Sequence, residues 1–374
     1  MKGKRTTFLY LSEPDMIKAG VLDGNQCVQA IDDMFKVVGE GDYIMGGLSG
    51  NEHGQRIFFP AEKLFPNMPV AGPDRRFMAM VAYLGGKFNV CGEKWYGSNI
   101  ENTKRGLPRS VLVAVLNDVE TGEPLAFMSA NLLSAMRTGA VPAVGAKYLA
   151  SKNATTAACI GAGVISKATI TCMIAALPAL KKVLVYDLFV EKSKAFCEEM
   201  SEKLGLEFEA ANSMEEAVRA ADVITIATSG NSKPIIQKEW VKPNAYIATQ
   251  GTADIPDDLF VSSRIVFDEI KMHKSWKEEE DSIPEEKASM RLDMPGTGVF
   301  RLCDEGKINP DNLLSLSKIA YGSEQGRTNE GERFICIIGG MPVEDVAWGK
   351  ALLDNALKMG IGQELVLWDE AYWR

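Results

Sequence analysis

Apolar positions follow two different rhythms along this chain. In the middle, short apolar runs alternate with helix-length segments. "ATTAACIGAG", "VISKATITCMIAALPAL" and "KKVLVYD" predict a strand ending at Ile160, a glycine turn, a helix to about Leu180 and a strand closing on Asp187. The alternation continues with a helix over "EKSKAFCEEMSEKLG", a strand at "LEFEAA", a helix from Ser213 over "SMEEAVRAA", and strands at "DVITIATS", "NAYIATQG" and "SRIVFDE". Short strands separated by helices predict a doubly wound parallel sheet. Ser213 and Glu216 are spaced as a capping box. The N-terminal third has the period of half-buried strands: "RRFMAMVAYLGG", "CGEKWYGSN" and "SVLVAVLNDVETGEPLAFMSA" predict antiparallel strands, the last two joined by the turn "DVETGEP". Near the C-terminus, "ERFICIIGG" predicts a strand and Val343 to Met359 a helix stopped by Gly360.

The fold class is therefore α/β. A substrate-binding and dimerisation domain of α+β type, residues 1–140, is completed by residues 336–374, and a Rossmann-type nucleotide-binding domain covers 141–335. A chain of 374 residues is long for one core, which agrees with two domains. The stretch 271–295 is charged and rich in breakers, and reads as a solvated surface insertion.

Composition narrows the function. A net charge of -9 excludes the basic footprint of a nucleic-acid binder. The apolar run near the N-terminus is too short for a signal peptide, and no segment reaches the length of a membrane span, so a cytoplasmic protein without membrane partners is expected. Seven scattered cysteines without a C-x-x-C pair suit reduced thiols. The two histidines, His53 and His273, have no cysteine or acidic cluster at ligand spacing, so no metal is expected and acid–base work falls to carboxylates or lysine.

Gly161 and Gly163 supply the tight turn and close backbone approach that a pyrophosphate needs at a helix start, with Ser166 in place of a third glycine. Asp187, 26 residues after Gly161, is placed to accept the adenosine ribose hydroxyls and repel a 2′-phosphate. No arginine follows it in "DLFVEKS", which favours NAD, with NADP as the alternative cofactor. The cofactor set expected from the sequence is Gly161, Gly163, Val164, Ile165, Asp187, Thr138, Thr228 and Arg109.

One arginine, Arg137, sits among small residues in "SAMRTGAVPAVGAKYLA". With the preceding turn "NDVETGEPLA", the stretch "EKWYGSNIENTKRGLPRS", the loop "TQGTADIPDDL" and the helix "GGMPVEDVAWGKALLDNALKMGIG", this pattern resembles the ornithine cyclodeaminase/mu-crystallin family, and "GGKFNVCGEKWYGSNIENTKRGLPR" is closest to its N-(2-amino-2-carboxyethyl)glutamate dehydrogenase-like branch. The resemblance implies a homodimer, a bound nicotinamide cofactor and hydride transfer at the α-carbon of an amino or imino acid, with an N-substituted amino acid among the substrates. It matches Arg137 to the arginine that grips the substrate carboxylate, Lys94 to the lysine beside it and Asp254 to the acid that relays a proton or activates water. A further carboxylate-binding arginine on an early strand is best matched by Arg76, with Arg75 next. The same residues would serve an ornithine cyclodeaminase, and the family's ligand-binding mu-crystallin branch is a third reading. Small neighbours beside Arg137 suggest room for a substrate, and a planar guanidinium is suited to a carboxylate.

Overall fold

The computed structural model describes residues 4–72, 74–228, 233–251, 253–285 and 294–373. The first sheet runs in the order Gln363–Trp368, Thr6–Leu11, Pro124–Ser129, Ser110–Asn117, Val90–Ser98, Arg76–Leu84 and Tyr43–Met45, with Gln55–Phe58 also paired to Arg76–Leu84. Its pairs are antiparallel except Thr6–Leu11 beside Pro124–Ser129. The period of two separates its faces. Along Arg76–Leu84, Met78, Met80, Ala82 and Leu84 are buried, whereas Phe77 and Val81 are exposed. The buried face packs on the helix Pro342–Met359, which ends at Gly360 with the left-handed φ of 65° expected of a helix stop.

The second sheet is parallel throughout, in the order Glu207–Ala210, Lys182–Tyr186, Thr156–Ile160, Val223–Ile226, Tyr246–Thr249, Phe334–Ile337, Arg264–Phe267 and Leu314–Ser315. Phe334–Ile337 lies inside this sheet, between Tyr246–Thr249 and Arg264–Phe267, so a boundary at 336 would cut a strand. The chain leaves the sheet after Ile337 and turns through Gly339 and Gly340 into the helix Pro342–Met359 of the other domain. The second junction is the helix Asn131–Leu149, which carries Arg137.

Three further expectations need correction. The glycine-turn helix spans Val164–Ala176 and stops short of Leu180, because Pro178 disfavours helical backbone in the residue before it. The charged stretch is only partly a solvated surface. Ile270–Ser282 forms a helix whose Met272, His273, Trp276 and Glu280 are buried at helical spacing, while residues 286–293 fall outside the described residues. Ser213 caps its helix by accepting from the Glu216 amide, but the Glu216 carboxylate reaches past it to the Asn212 amide. Among the described residues no helix is long and apolar enough to cross a membrane, and no group of His, Cys, Asp and Glu is placed to hold a metal.

Candidate active site

The parallel sheet reverses its strand order between Thr156–Ile160 and Val223–Ile226, the position where such sheets receive ligands. Just beyond the ends of these strands lies a cleft of about 310 Å³, lined by Gly161, Ala162, Gly163, Asp187, Thr228 and their neighbours. Gly161 has φ of 99°, and a β-carbon there would lie 2.8 Å from the Ala227 carbonyl oxygen. A β-carbon on Gly163 would meet nothing within 4 Å, so its hydrogen faces the opening. The helix begun by Val164 has no side-chain cap, which leaves its first amides available to an anion. Ser166, in the third glycine's place, donates to the Gly161 carbonyl at 2.6 Å and ties the helix to the turn. Asp187 accepts from the Ala162 and Phe189 amides, each at 3.0 Å, so its carboxylate is held at the cleft wall. These features fit a dinucleotide: a turn with no β-carbon in the way, free amides for phosphate and a fixed carboxylate for ribose. Val164 is exposed at the helix start, while Ile165 packs on the core. Gln250 donates to the Thr138 carbonyl at 2.8 Å, joining the arginine helix to the second domain.

Arg137 and Lys94 meet within the molecule, on the buried side of the first sheet. One carboxylate, Asp345, bridges them: Arg137 Nε donates to Oδ1 at 3.0 Å and Lys94 Nζ to Oδ2 at 2.7 Å. Lys94 also donates to Ser134 Oγ at 3.2 Å, and Arg137 Nη1 to Glu344 Oε2. Glu344 holds its own helix start as well, accepting from the Met341 amide at 3.0 Å. Burial pulls the Lys94 ammonium down to about 8, with Arg137 adding repulsion against the pull of Asp345. Burial likewise pushes the Glu344 carboxyl up to about 7, against the attraction of Arg137. Gly340, at φ of 83°, presses on the arginine; a β-carbon there would lie 2.9 Å from Arg137 Nη1.

Arg137 is thus an acid-paired arginine. Its small neighbours serve packing: a β-carbon on Gly139 would come within 2.5 Å of the backbone between Ala168 and Thr169, and one on Gly145 within 2.2 Å of the Tyr246 hydroxyl.

The other expected residues lie elsewhere. Arg76 pairs with Asp74 at 3.0 Å and lies over the Tyr96 ring, and Arg109 reaches the same Asp74 at 3.2 Å. Arg75 donates to the Val70 carbonyl. Arg109 is absent from the described lining of the nucleotide cleft. Asp254 forms an isolated bridge with Ile235 at the cleft's edge, with its side chain exposed. The hydrogen bonds of Arg137 and Lys94 go to Glu344, Asp345 and Ser134.

Sequence reasoning missed several residues beside the cluster. His53 donates from Nδ1 to the Gly340 carbonyl at 2.7 Å and stacks on Trp276 with ring centroids 4.4 Å apart. Burial pulls this imidazole down to about 3, so it is neutral. Arg56 pairs through Nη2 with Glu279 at 2.9 Å and Glu280 at 2.8 Å. Asp268 accepts from both the Gly339 and Gly340 amides at 2.8 Å and from His273 Nε2 at 2.6 Å, fixing the turn on which Arg137 rests. Glu344 and Asp345 lie in the first turn of their helix, where acids are common beside the helix dipole, so nothing local set them apart. His53 and Arg56 lie in a stretch with no periodicity to announce them.

Comparison with known proteins places this geometry in a family. The model of the ornithine cyclodeaminase/mu-crystallin family matches residues 25–360. N-((2S)-2-amino-2-carboxyethyl)-L-glutamate dehydrogenase of Staphylococcus aureus is 27% identical over 365 residues, covering 96% of this chain and 98% of that protein. Alanine dehydrogenase of Archaeoglobus fulgidus is 27% identical over 77% of this chain and 82% of its own length. The structure of Thermococcus litoralis Delta(1)-pyrroline-2-carboxylate reductase in complex with NADH and L-proline superposes with a TM-score of 0.77 at 25% identity, covering 95% of this chain and 99% of that one. This chain belongs to the ornithine cyclodeaminase/mu-crystallin family and is an NAD-dependent enzyme of it.

Proposed function

We propose that Arg137 and Lys94 receive the α-carboxylate of an amino or imino acid, and that the α-carbon beside it exchanges hydride and proton for a C=N bond. The observation that carries this reading is the buried cluster in which Asp345 holds both cations side by side. Arginine offers a planar fork and lysine a point charge, together enough to fix a carboxylate's position and tilt. Gly161, Gly163, the amides at Val164 and Ile165, Thr228 and Asp187 would hold NAD, with Thr138 and Arg109 toward the substrate. When bound, the oxidised nicotinamide takes up the hydride and the reduced one supplies it. In the oxidative direction the ammonium group must also lose a proton. Lys94, with its ammonium pulled down to about 8, is unprotonated in a growing fraction toward that pH and can then accept the proton at Nζ, with Arg137 retaining the carboxylate. Asp254, with its side chain exposed beside Ile235, is assigned to the water that hydrolyses the imine to a 2-oxo acid and ammonium. Arg76 remains the candidate for a further substrate contact through the Asp74 pair.

A homodimer would cover the outer face of the first sheet, where Phe77, Trp95, Val111 and Phe127 are exposed. The seven cysteines are unpaired, which suits a reducing compartment such as the cytoplasm.

The test is to incubate the purified protein with NAD⁺ and a panel of α-amino acids that includes ornithine, following reduced-cofactor absorbance and ammonium together. Reduction with ammonium release is the expected result. Ammonium without net reduction would assign a cyclodeaminase, and neither product from any amino acid would overturn the reading.

A further inference from the structure

Pro142 lies inside the helix Asn131–Leu149. A proline has no N–H to give, so the Thr138 carbonyl, next to Arg137, lacks the donor that the residue at this helical spacing would supply. Gln250 takes that place, donating from Nε2 at 2.8 Å. A carbonyl can only accept, which fixes the orientation of the glutamine amide, and the buried Thr169 hydroxyl then donates to its Oε1 at 3.1 Å. Thr169 belongs to the helix Val164–Ala176, which opens at the glycine turn. The two helices meet back to back here, since a β-carbon on Gly139 would lie 2.5 Å from the backbone of Ala168 and Thr169. Gln250 itself is rooted at the cleft. It follows the strand Tyr246–Thr249, and its backbone amide donates to the Ile226 carbonyl at 2.9 Å. A β-carbon on the following Gly251 would lie 2.4 Å from the carbonyl oxygen of Thr228, in the cleft lining. One side chain therefore joins the cleft lining, the helix assigned to the cofactor and the helix that carries Arg137.

We propose that Gln250 is a positioning residue that ties the cofactor helix to the arginine helix, so that NADH in the cleft strengthens the hold of Arg137 and Lys94 on a substrate carboxylate. This rests on the assignment of the α-carboxylate to those two cations. The helix Val164–Ala176 and the Thr228 backbone are the groups that a cofactor in the cleft would steady, and both are footings of Gln250. The bond that Gln250 makes in turn falls on the residue beside Arg137. Each station binds its own ligand without the glutamine; what the glutamine adds is their mutual strengthening.

The experiment titrates the protein calorimetrically with pyruvate, 2-oxobutyrate and 2-oxoglutarate, first without NADH and then at saturating NADH. At least one 2-oxo acid is expected to bind roughly fivefold or more tightly when NADH is present. Gln250→Met keeps the length and removes the donor, and should bring that ratio toward one. NADH affinity measured alone, and 2-oxo acid affinity measured without NADH, should both stay near the parent values. The same change leaves the Thr138 carbonyl unmet, which lowers stability. Pro142→Ala restores a backbone N–H at helical spacing, so the double variant should recover that stability without recovering the ratio, and Pro142→Ala by itself should leave the ratio in place. An undiminished ratio in Gln250→Met overturns the proposal, because direct contact between the two ligands would then carry the coupling. So does a ratio that returns in the double variant, which would reduce Gln250 to a cap on the carbonyl. A ratio of one in the unaltered protein overturns the proposal and leaves the α-carboxylate assignment standing. Failure of every 2-oxo acid to bind overturns that assignment, and the proposal with it.

Discussion

The nucleotide cleft and the cationic cluster are built from different materials. The cleft is made of backbone: a glycine turn, uncapped amides and one carboxylate tied to two main-chain groups within 25 residues of sequence. The cluster is made of buried side chains that converge from positions up to 251 residues apart. A site made of amides is sensitive to conformation and indifferent to most side chains. A site made of buried charges depends on every partner, because each ion is tolerable only while the others neutralise it. The two regions should therefore fail in different ways when altered.

The sharpest break of this kind is Asp345→Ala. It leaves Lys94 and Arg137 buried without the carboxylate they share, and breaking such a pair costs about 3 to 5 kcal/mol. The midpoint of chemical denaturation should drop accordingly, while the folded fraction keeps its NADH affinity. A variant as stable as the parent would mean that the cluster is not held by mutual neutralisation.

Arg137→Lys comes next. The ammonium retains the charge but cannot reach Asp345 and Glu344 at once with a planar fork. Losing a charged hydrogen bond costs about 1.5 to 3 kcal/mol, so kcat/KM should fall at least roughly tenfold, with NAD affinity little changed. The structure adds an expectation that a solitary substrate-clamping arginine would not carry: thermal stability falls too, because the arginine serves its own acids as well as a ligand. Full activity in the lysine variant would remove Arg137 from the substrate.

This contrast also explains what could be read before the fold was known. The turn at Gly161 and Gly163, the helix after it and Asp187 at the end of the next strand lie in one short segment, so local period and glycine chemistry sufficed. The antiparallel N-terminal strands were legible from their alternation for the same reason. Arg137 and Lys94 could be singled out, but their union through Asp345 could not, because nothing local connects residues 94, 137 and 345. Trp276 and His273 were hidden differently: their helix carries so many charges on its exposed faces that the buried stripe was masked. The strand Phe334–Ile337 was recognised, but its place inside the parallel sheet follows from long-range pairing that no sequence period encodes.

A pH titration separates the regions by sign. Lys94 titrates near 8 in the fold, below the ordinary lysine value of about 10.4. Between those values the unfolded chain holds a proton that the folded one has released, so this group makes stability rise with pH across that window. Ligand affinity should move the other way: a carboxylate is held fully below about pH 8 and progressively less above it, by up to roughly tenfold per unit. The groups facing Lys94 are Arg137, Asp345 and Glu344. Affinity of the NADH complex for a 2-oxo acid should show this decline and lose it in Lys94→Met. The backbone amides that would hold NADH do not titrate, so NADH affinity should not follow.

The smallest expected effect lies at Asp187, and it asks whether the cleft is as separate from the cluster as its construction implies. Asp187→Arg removes the acceptor assigned to the ribose hydroxyls and both of its bonds to the Ala162 and Phe189 amides. It also supplies a partner for a 2′-phosphate. One hydrogen bond contributes about 1 kcal/mol, so NAD affinity should fall roughly fivefold or more while NADP affinity rises. Asp187→Asn, which can still accept through its one carbonyl oxygen, should lose less NAD affinity and gain nothing for NADP. In both variants the denaturation midpoint and the affinity for a 2-oxo acid, measured at saturating cofactor, should stay near the parent values. Equal NAD affinity in all three proteins would remove Asp187 from the cofactor. A fall in 2-oxo acid affinity at saturating cofactor would show that the turn at Ala162 is coupled to the buried charges around Arg137, and that the two regions do not fail independently.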